Sequence, residues 1–184
     1  MKTLRKILKW FGILFATICC TLLAVQKRPF GITEKPYTDT QLTECTTYLF
    51  YINDPYLLSL SNLEYKNRIN KLLNVYDYKE LSKDLSWIHN NGFCAIPFKT
   101  IIIDDDLTGV NYATTLTHEI LHYKYYSTNE RYIEFMTFKV LFESEDPYLR
   151  KAGILYGYEC LTDEDKDEYW CADLIIDYLI KEKK

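Results

Sequence analysis

Residues 112–125 read Tyr-Ala-Thr-Thr-Leu-Thr-His-Glu-Ile-Leu-His-Tyr-Lys-Tyr, and their spacing decides how the rest of the chain is read. The segment predicts a helix from about Tyr112 to Tyr125. At 100° per residue, Leu116, Ile120 and Tyr123 fall on one apolar stripe that packs on a core. His118 and His122 point away from that stripe, towards a second surface or a cleft. Residues four apart lie one above the other on a helix, so the two imidazoles share a face. A histidine kept only for packing would more often sit within the stripe.

His118-Glu119-Ile120-Leu121-His122 has the H-E-x-x-H spacing, in which two imidazoles hold one ion and the Glu beside the first acts as a base. Neutral imidazole nitrogens reach Zn²⁺ at about 2.0–2.1 Å. Glu119 lies at the edge of the shared face, too offset to be a natural ligand but able to touch a water beside the ion. There it serves as general base and later passes the proton to the leaving amine. A hydrolytic zinc site needs a third protein ligand and one open position. Glu130 is the first candidate, because a tight turn over Tyr126 to Asn129 brings it back to His122. Glu134, one helical turn further on, is its rival. Glu130 also has a competing reading, as the N3 residue of a capping box in Ser127-Thr128-Asn129-Glu130. An oxyanion stabiliser is required as well. His89, Tyr156 and Tyr158 are candidates, and the 17 tyrosines leave the choice open. His89 reads equally as an exposed loop histidine before Asn90-Asn91-Gly92.

Outside this segment, 184 residues allow one modest domain behind an anchor. With 48% apolar and 16% aromatic residues the chain has ample material for a packed core. A net charge of −4 without a basic, aromatic-interleaved stripe excludes a nucleic-acid partner. Lys2, Arg5, Lys6 and Lys9 precede a charge-free apolar run from Trp10 to Val25. Such a run predicts a short transmembrane anchor with the N-terminus cytoplasmic and the remainder outside. A cleaved signal peptide is the competing reading, against which stands the lack of an A-x-A-like site. The expected organisation is a basic segment 1–9, an anchor 10–25, a juxtamembrane linker 26–41 holding Pro29, Gly31 and Pro36, and a domain 42–184. Cys19 and Cys20 fall in the anchor. Cys45, Cys94, Cys160 and Cys171 fall in the domain without any C-x-x-C pair. They read either as up to two disulfides, Cys160–Cys171 being the pair closest in sequence, or as four small buried hydrophobes.

Helical spacing recurs at Leu42, Cys45, Leu49 and Ile52. Asp54-Pro55 reads as an N-cap with Pro at the first helical position, opening a helix that runs through Ile69, Leu72, Leu73 and Tyr76. Asn90 to Gly92 is a turn signal. Phe98 to Ile103 is the best strand, closed by Asp104 to Gly109. Helices are expected from Thr128 to about Glu143 and from Asp146-Pro147 onward. A last helix, capped by Thr162, carries Trp170, Leu174 and Tyr178, and the run Asp163-Glu164-Asp165 suits its N-terminus. The fold class expected is mainly α with a small β-sheet.

His118-Glu119-Ile120-Leu121-His122, Asn129-Glu130 and Ser144-Glu145-Asp146-Pro147-Tyr148-Leu149-Arg150 with Gly153 together resemble a family of bacterial membrane-anchored zinc peptidases of the gluzincin type. That family's pattern runs H-E-[IL]-x-H, a short loop, E-A-N-F, then D-P-x-x-R. Upstream, Gly92 with Pro97-Phe98 is similar to its Gly-x-Tyr-x-Pro-Phe stretch. The resemblance covers about residues 90–158. It implies a zincin-like peptidase domain binding one Zn²⁺ per chain through His118, His122 and Glu130, with Glu119 as base and a peptide or protein as substrate. It further implies that the strand Phe98 to Ile103 pairs with extended substrate. Arg131-Tyr132 stands where the family has Ala-Asn, so an asparagine beside the ligands is missing, and Lys151 replaces a Tyr after the D-P-x-x-R arginine.

Two other functions compete. A non-enzymatic binding module outside the membrane would use the tyrosines and the acidic stretch Asp163 to Glu168 as a partner surface. A closed structural zinc site would need a fourth ligand such as cysteine, and none lies near the motif in sequence.

Overall fold

The computed structural model describes residues 35–88, 90–162 and 171–182. The basic segment 1–9, the apolar run 10–25, linker residues 26–34, His89, the acidic stretch 163–168 and Trp170 lie outside the described residues. Among the described residues no helix is long and apolar enough to cross a membrane. The chain is mainly helical with a three-stranded mixed sheet. The helices are α1 (Asp39–Ile52), α2 (Asn62–Leu73), α3 (Gly109–Tyr125), α4 (Glu130–Phe142), α5 (Pro147–Thr162) and α6 (Ala172–Glu182). The strands are β1 (Lys79–Lys83), β2 (Gly92–Ala95) and β3 (Thr100–Asp104).

Local chemistry sets most helix starts. Thr38 opens α1 and Ser61 opens α2, each through a capping box, with Gln41 and Glu64 respectively. The Asp54-Pro55 pair does not open a helix. The Asp54 carboxylate accepts from the Tyr56 N–H at 2.8 Å and holds a turn instead, and Ser61, seven residues later, makes the better cap. Asn74, in the left-handed conformation that Asn tolerates, ends α2. Thr162 does not cap the last helix. It is the final residue of α5, its hydroxyl donating back to the Tyr158 carbonyl at 2.8 Å, and α6 begins only at Ala172.

The sheet order is β1-β3-β2, with β1 parallel and β2 antiparallel to β3. The strand expected over Phe98 to Ile103 is real but starts at Thr100. Phe98 closes a 3-10 turn, is 69% exposed, and is followed by Lys99 at φ 48. Pro97 has the fixed φ that suits the 3-10 turn, and the left-handed Lys99 that ends it breaks the extended backbone before Thr100. The sheet's other two strands escape a pattern reading: β1 is Lys-Glu-Leu-Ser-Lys and β2 is four residues long.

Two apolar cores flank the central helices. One joins Ile69, Ile101, Ile103, Leu116, Ile120 and Leu149 from α2, β3, α3 and α5. The other joins Leu49, Phe138, Ile175 and Leu179 from α1, α4 and α6. Each fully buried Ile or Leu contributes about 1.5–3 kcal/mol relative to exposure. The stripe Leu116, Ile120 and Tyr123 is buried as expected. Helix α3 is nevertheless buried on more than that face, since Ala113, Thr117, Glu119, Leu121 and His122 are buried too. Thr117 tolerates this by donating to the Ala113 carbonyl at 2.8 Å.

Helices α4 and α5 approach closely at Gly153. A Cβ there would lie 2.4 Å from the Phe142 nitrogen and 2.7 Å from the Leu141 carbonyl carbon. Backbone cannot yield as a side chain can, so the helices would have to separate. Gly153→Ala is expected to destabilise the fold by about 2–3 kcal/mol, read as a lower urea midpoint at unchanged slope.

Candidate metal centre

His118 and His122 project from adjacent turns of α3. Their Nε2 atoms lie 2.9 Å apart. Helix α3 ends at Tyr126, a non-glycine residue at φ 49 whose N–H reaches back to the His122 carbonyl. That left-handed cap reverses the chain within four residues, and Asn129 caps α4 by accepting from the Tyr132 N–H at 3.2 Å. Glu130 is therefore the first residue of α4. Its Oε2 lies 3.0 Å from His118 Nε2 and 3.2 Å from His122 Nε2. The capping-box reading of Glu130 falls: Asn129 does the capping and the Glu130 carboxylate faces the histidines.

Protonation chemistry makes this triangle informative. His122 Nδ1 lies 2.6 Å from the Ser127 carbonyl oxygen. A carbonyl only accepts, so Nδ1 carries the hydrogen and Nε2 of the neutral ring offers a lone pair. Two imidazole nitrogens and a carboxylate oxygen thus face one another at 2.9–3.2 Å. Lone pairs would oppose lone pairs unless His118 Nε2 donates a hydrogen or a cation lies between the three atoms. Either a proton or a metal ion resolves this. The three ligand atoms form the compact His118–His122–Glu130 group expected of a metal site. Their spacing is close to the ~3.3 Å that separates ligands held tetrahedrally at 2.0–2.1 Å, and His₂Glu is a hydrolytic zinc set that leaves one position open. The residues present fit the ion.

The electrostatics agree. Burial alone would lower the His122 pKa, but the Glu130 hydrogen bond, the charges of Glu119 and Glu130, and the Ser127 carbonyl outweigh it and raise the pKa above its ordinary value. Burial alone would raise Glu130, yet hydrogen bonds from His118 and His122 and their charges hold it down to about 2. Glu119 is buried, and that burial pushes its pKa up, opposed in part by the nearby histidines and by the Cys94 N–H, which the carboxylate accepts.

The Cys94 contact exposes a feature that sequence reading missed. The Asp104 N–H donates to the Asn91 carbonyl, so in the antiparallel register Asn91, Phe93 and Ala95 face β3. Gly92 and Cys94 therefore turn their backbone groups to the outer edge of β2, where Glu119 lies. β2 comes this near because residue 92 has no side chain. A Cβ there would lie 2.7 Å from Thr115 Cγ2 and 3.0 and 3.1 Å from Glu119 Cγ and Oε1. The signal was present as a glycine, but the Asn-Asn-Gly context read as a turn.

Other expected residues lie elsewhere. Glu134 is beside the Cys171 thiol and Tyr156, not among the ligands. Tyr156 packs in the second core. Tyr158, two residues along α5, faces away and is 38% exposed. Neither joins the metal cluster, and His89 is outside the described residues. The D-P-x-x-R segment is structural: Asp146 accepts from the Tyr148 and Leu149 N–H groups and pairs with Arg68, while Arg150 donates to the Ser144 carbonyl. Lys151 ties α5 to the Asp54 and Leu57 carbonyls.

Comparison of the chain with family models, with curated proteins and with solved structures finds no match.

Purified protein should hold about one zinc per chain, and His122→Ala or Glu130→Ala should hold none. A folded, zinc-supplemented wild type without metal would remove the centre. The pH dependence follows from the two shifts. His122, with its pKa raised above 6.5, stabilises the metal-free fold fully below that pH and loses the contribution as pH climbs through the folded value. Glu130, depressed from 4.5, contributes above that pH and loses it as pH falls towards about 2. Zinc instead needs the proton gone. The gain in melting temperature on adding zinc should therefore grow as pH rises above 6.5, and a pH-independent gain would contradict this ligand set. Gly92→Ala should cost about 1–3 kcal/mol while leaving the zinc stoichiometry unchanged.

Proposed function

We propose that the chain is a zinc-dependent peptidase, held at a membrane by residues 10–25, whose domain works outside the cytoplasm on peptide or protein substrates. The observation that carries this is the convergence of His118, His122 and Glu130 with the buried Glu119 carboxyl beside them. A closed structural site with a cysteine ligand is disfavoured, because among the described residues no cysteine belongs to the cluster.

His118, His122 and Glu130 would hold the ion. When bound, zinc would supply a Lewis acid that lowers the pKa of water to about 7 and polarises a carbonyl. Glu119 is placed to take a proton from the attacking water and return it to the leaving amine. Its burial and raised pKa suit a group that must both accept and donate near neutral pH. The Cys94 N–H orients the carboxyl. The Ser127 carbonyl keeps His122 in the tautomer that ligates.

Substrate pairing moves from the strand expected to serve it. β3 is paired on both sides and has no free edge. β2 is an edge strand whose outward groups, at Gly92 and Cys94, border Glu119. An extended peptide added there as a further strand would bring its backbone to the base.

The deciding experiment incubates zinc-loaded full-length chain with a diverse peptide pool and follows cleavage by mass spectrometry. Glu119→Gln should keep its zinc and lose turnover by about 10²–10⁴-fold. Undiminished cleavage in that variant would take Glu119 out of the mechanism. If the zinc-loaded wild type cleaves nothing, the binding-module reading replaces this one.

A further inference from the structure

A second group of reactive side chains lies in the second core, where α4, α5 and the start of α6 meet. Cys171, Cys160 and Tyr156 share the second core, with the Cys171 thiol neighbouring both Cys160 Sγ and the Glu134 carboxylate. The Tyr156 hydroxyl in turn neighbours Cys160. The four groups thus run Tyr156, Cys160, Cys171, Glu134. Cys160 sits near the end of α5 and is half-buried, while Cys171 immediately precedes α6 and is 2% exposed. Both cysteines are free thiols in this structure.

We propose that Cys160 and Cys171 are a dithiol–disulfide couple that closes the connection between α5 and α6. Two thiols kept only as small hydrophobes would not need a half-buried carboxylate against them, since burying that group away from water is costly. Beside a thiol it has a use. Cys160, burial and Glu134 all hold the Cys171 proton on sulfur, and Glu134 is the group placed to take it when the thiolate is required. Thiol–disulfide exchange supplies the chemistry, with a small-molecule or protein disulfide as oxidant. The more accessible Cys160, as thiolate, attacks one sulfur of that disulfide, forming a mixed disulfide and releasing one thiolate. Cys171, its proton passed to Glu134, then attacks Cys160 Sγ. The Cys160–Cys171 bond forms, the second thiolate leaves, and the two cysteine protons end on the two released thiols. The protein loses two electrons and the oxidant gains them.

The couple sits at a mechanically useful place. Asp173, two residues after Cys171, pairs with Arg131, which directly follows the ligand Glu130. The bond would hold the start of α6, which this ion pair joins to the first turn of α4, against the end of α5. The proposal itself does not depend on the metal reading.

The test equilibrates full-length chain with glutathione disulfide or with dithiothreitol, blocks free thiols in denaturant, and digests with trypsin without reduction. Cleavage after Lys151, Lys166 and Lys181 places the two cysteines on separate peptides, 152–166 and 167–181. The expected product of oxidation is those two peptides joined, absent after dithiothreitol, with a melting temperature about 5–10 °C higher in the oxidised form. Blocked thiols at both positions, or a glutathione adduct on Cys160 without the joined pair, would overturn the couple. Glu134→Gln should slow closure about tenfold or more, and an unchanged rate would overturn the role given to Glu134. The wild-type result decides the disulfide even if that variant does not fold.

Discussion

Two imidazole nitrogens and a carboxylate oxygen crowded at one point need a hydrogen or a cation between them. His118 Nε2, His122 Nε2 and Glu130 Oε2 are held at 2.9–3.2 Å, and the Ser127 carbonyl removes the option of turning the His122 hydrogen inward. The fold has concentrated three potential ligand atoms at one point. Their mutual hydrogen bonds and charges raise the His122 pKa and lower that of Glu130. Under the proposed function a divalent ion would take the place of the shared hydrogens and leave the nitrogens neutral. Competition between proton and metal for these atoms is the constraint from which the expected pH behaviour follows, while the Ser127 carbonyl sets the His122 tautomer and Tyr126 makes the turn.

The surrounding structure supports that point from several sides. Helix α3 is buried on most of its circumference, so its histidines cannot drift. Tyr126 adopts a left-handed conformation that costs a β-carbon-bearing residue roughly 1–2 kcal/mol, and the turn it makes delivers Glu130 to the triangle. β2 crosses α3 at a glycine, closely enough for the Cys94 N–H to hold Glu119. The Arg131–Asp173 pair ties the first turn of α4 to α6, which links Glu130 to the thiol-bearing junction in the second core.

Elements with strong local signals are legible in the amino-acid pattern alone. The helix from about Tyr112 to Tyr125, its buried stripe, and the return of Glu130 to the histidines all follow from spacing and from a short turn. The mainly helical class with a small sheet is legible too. Elements whose identity depends on partners are not. β1 carries no β-branched residue and is a strand because β3 lies beside it. β2 resembles a turn in sequence because its glycine serves a close approach rather than a bend. Asp54-Pro55 carries a helix-start signal, but Ser61 with Glu64 forms the stronger cap.

The sequence by itself determined which imidazoles share a face, because periodicity places His118 and His122 together whatever surrounds the helix. It also confined Glu130 to within reach, since a four-residue turn limits how far the chain can travel. Only the tertiary structure decided where the Glu130 carboxylate points, capping or ligating, because that depends on Asn129 taking the cap. It likewise decided which strand edge borders Glu119, and that Cys160 and Cys171 meet beside Glu134. Those outcomes rest on contacts between segments distant in the chain, and no local pattern encodes a distance across the fold.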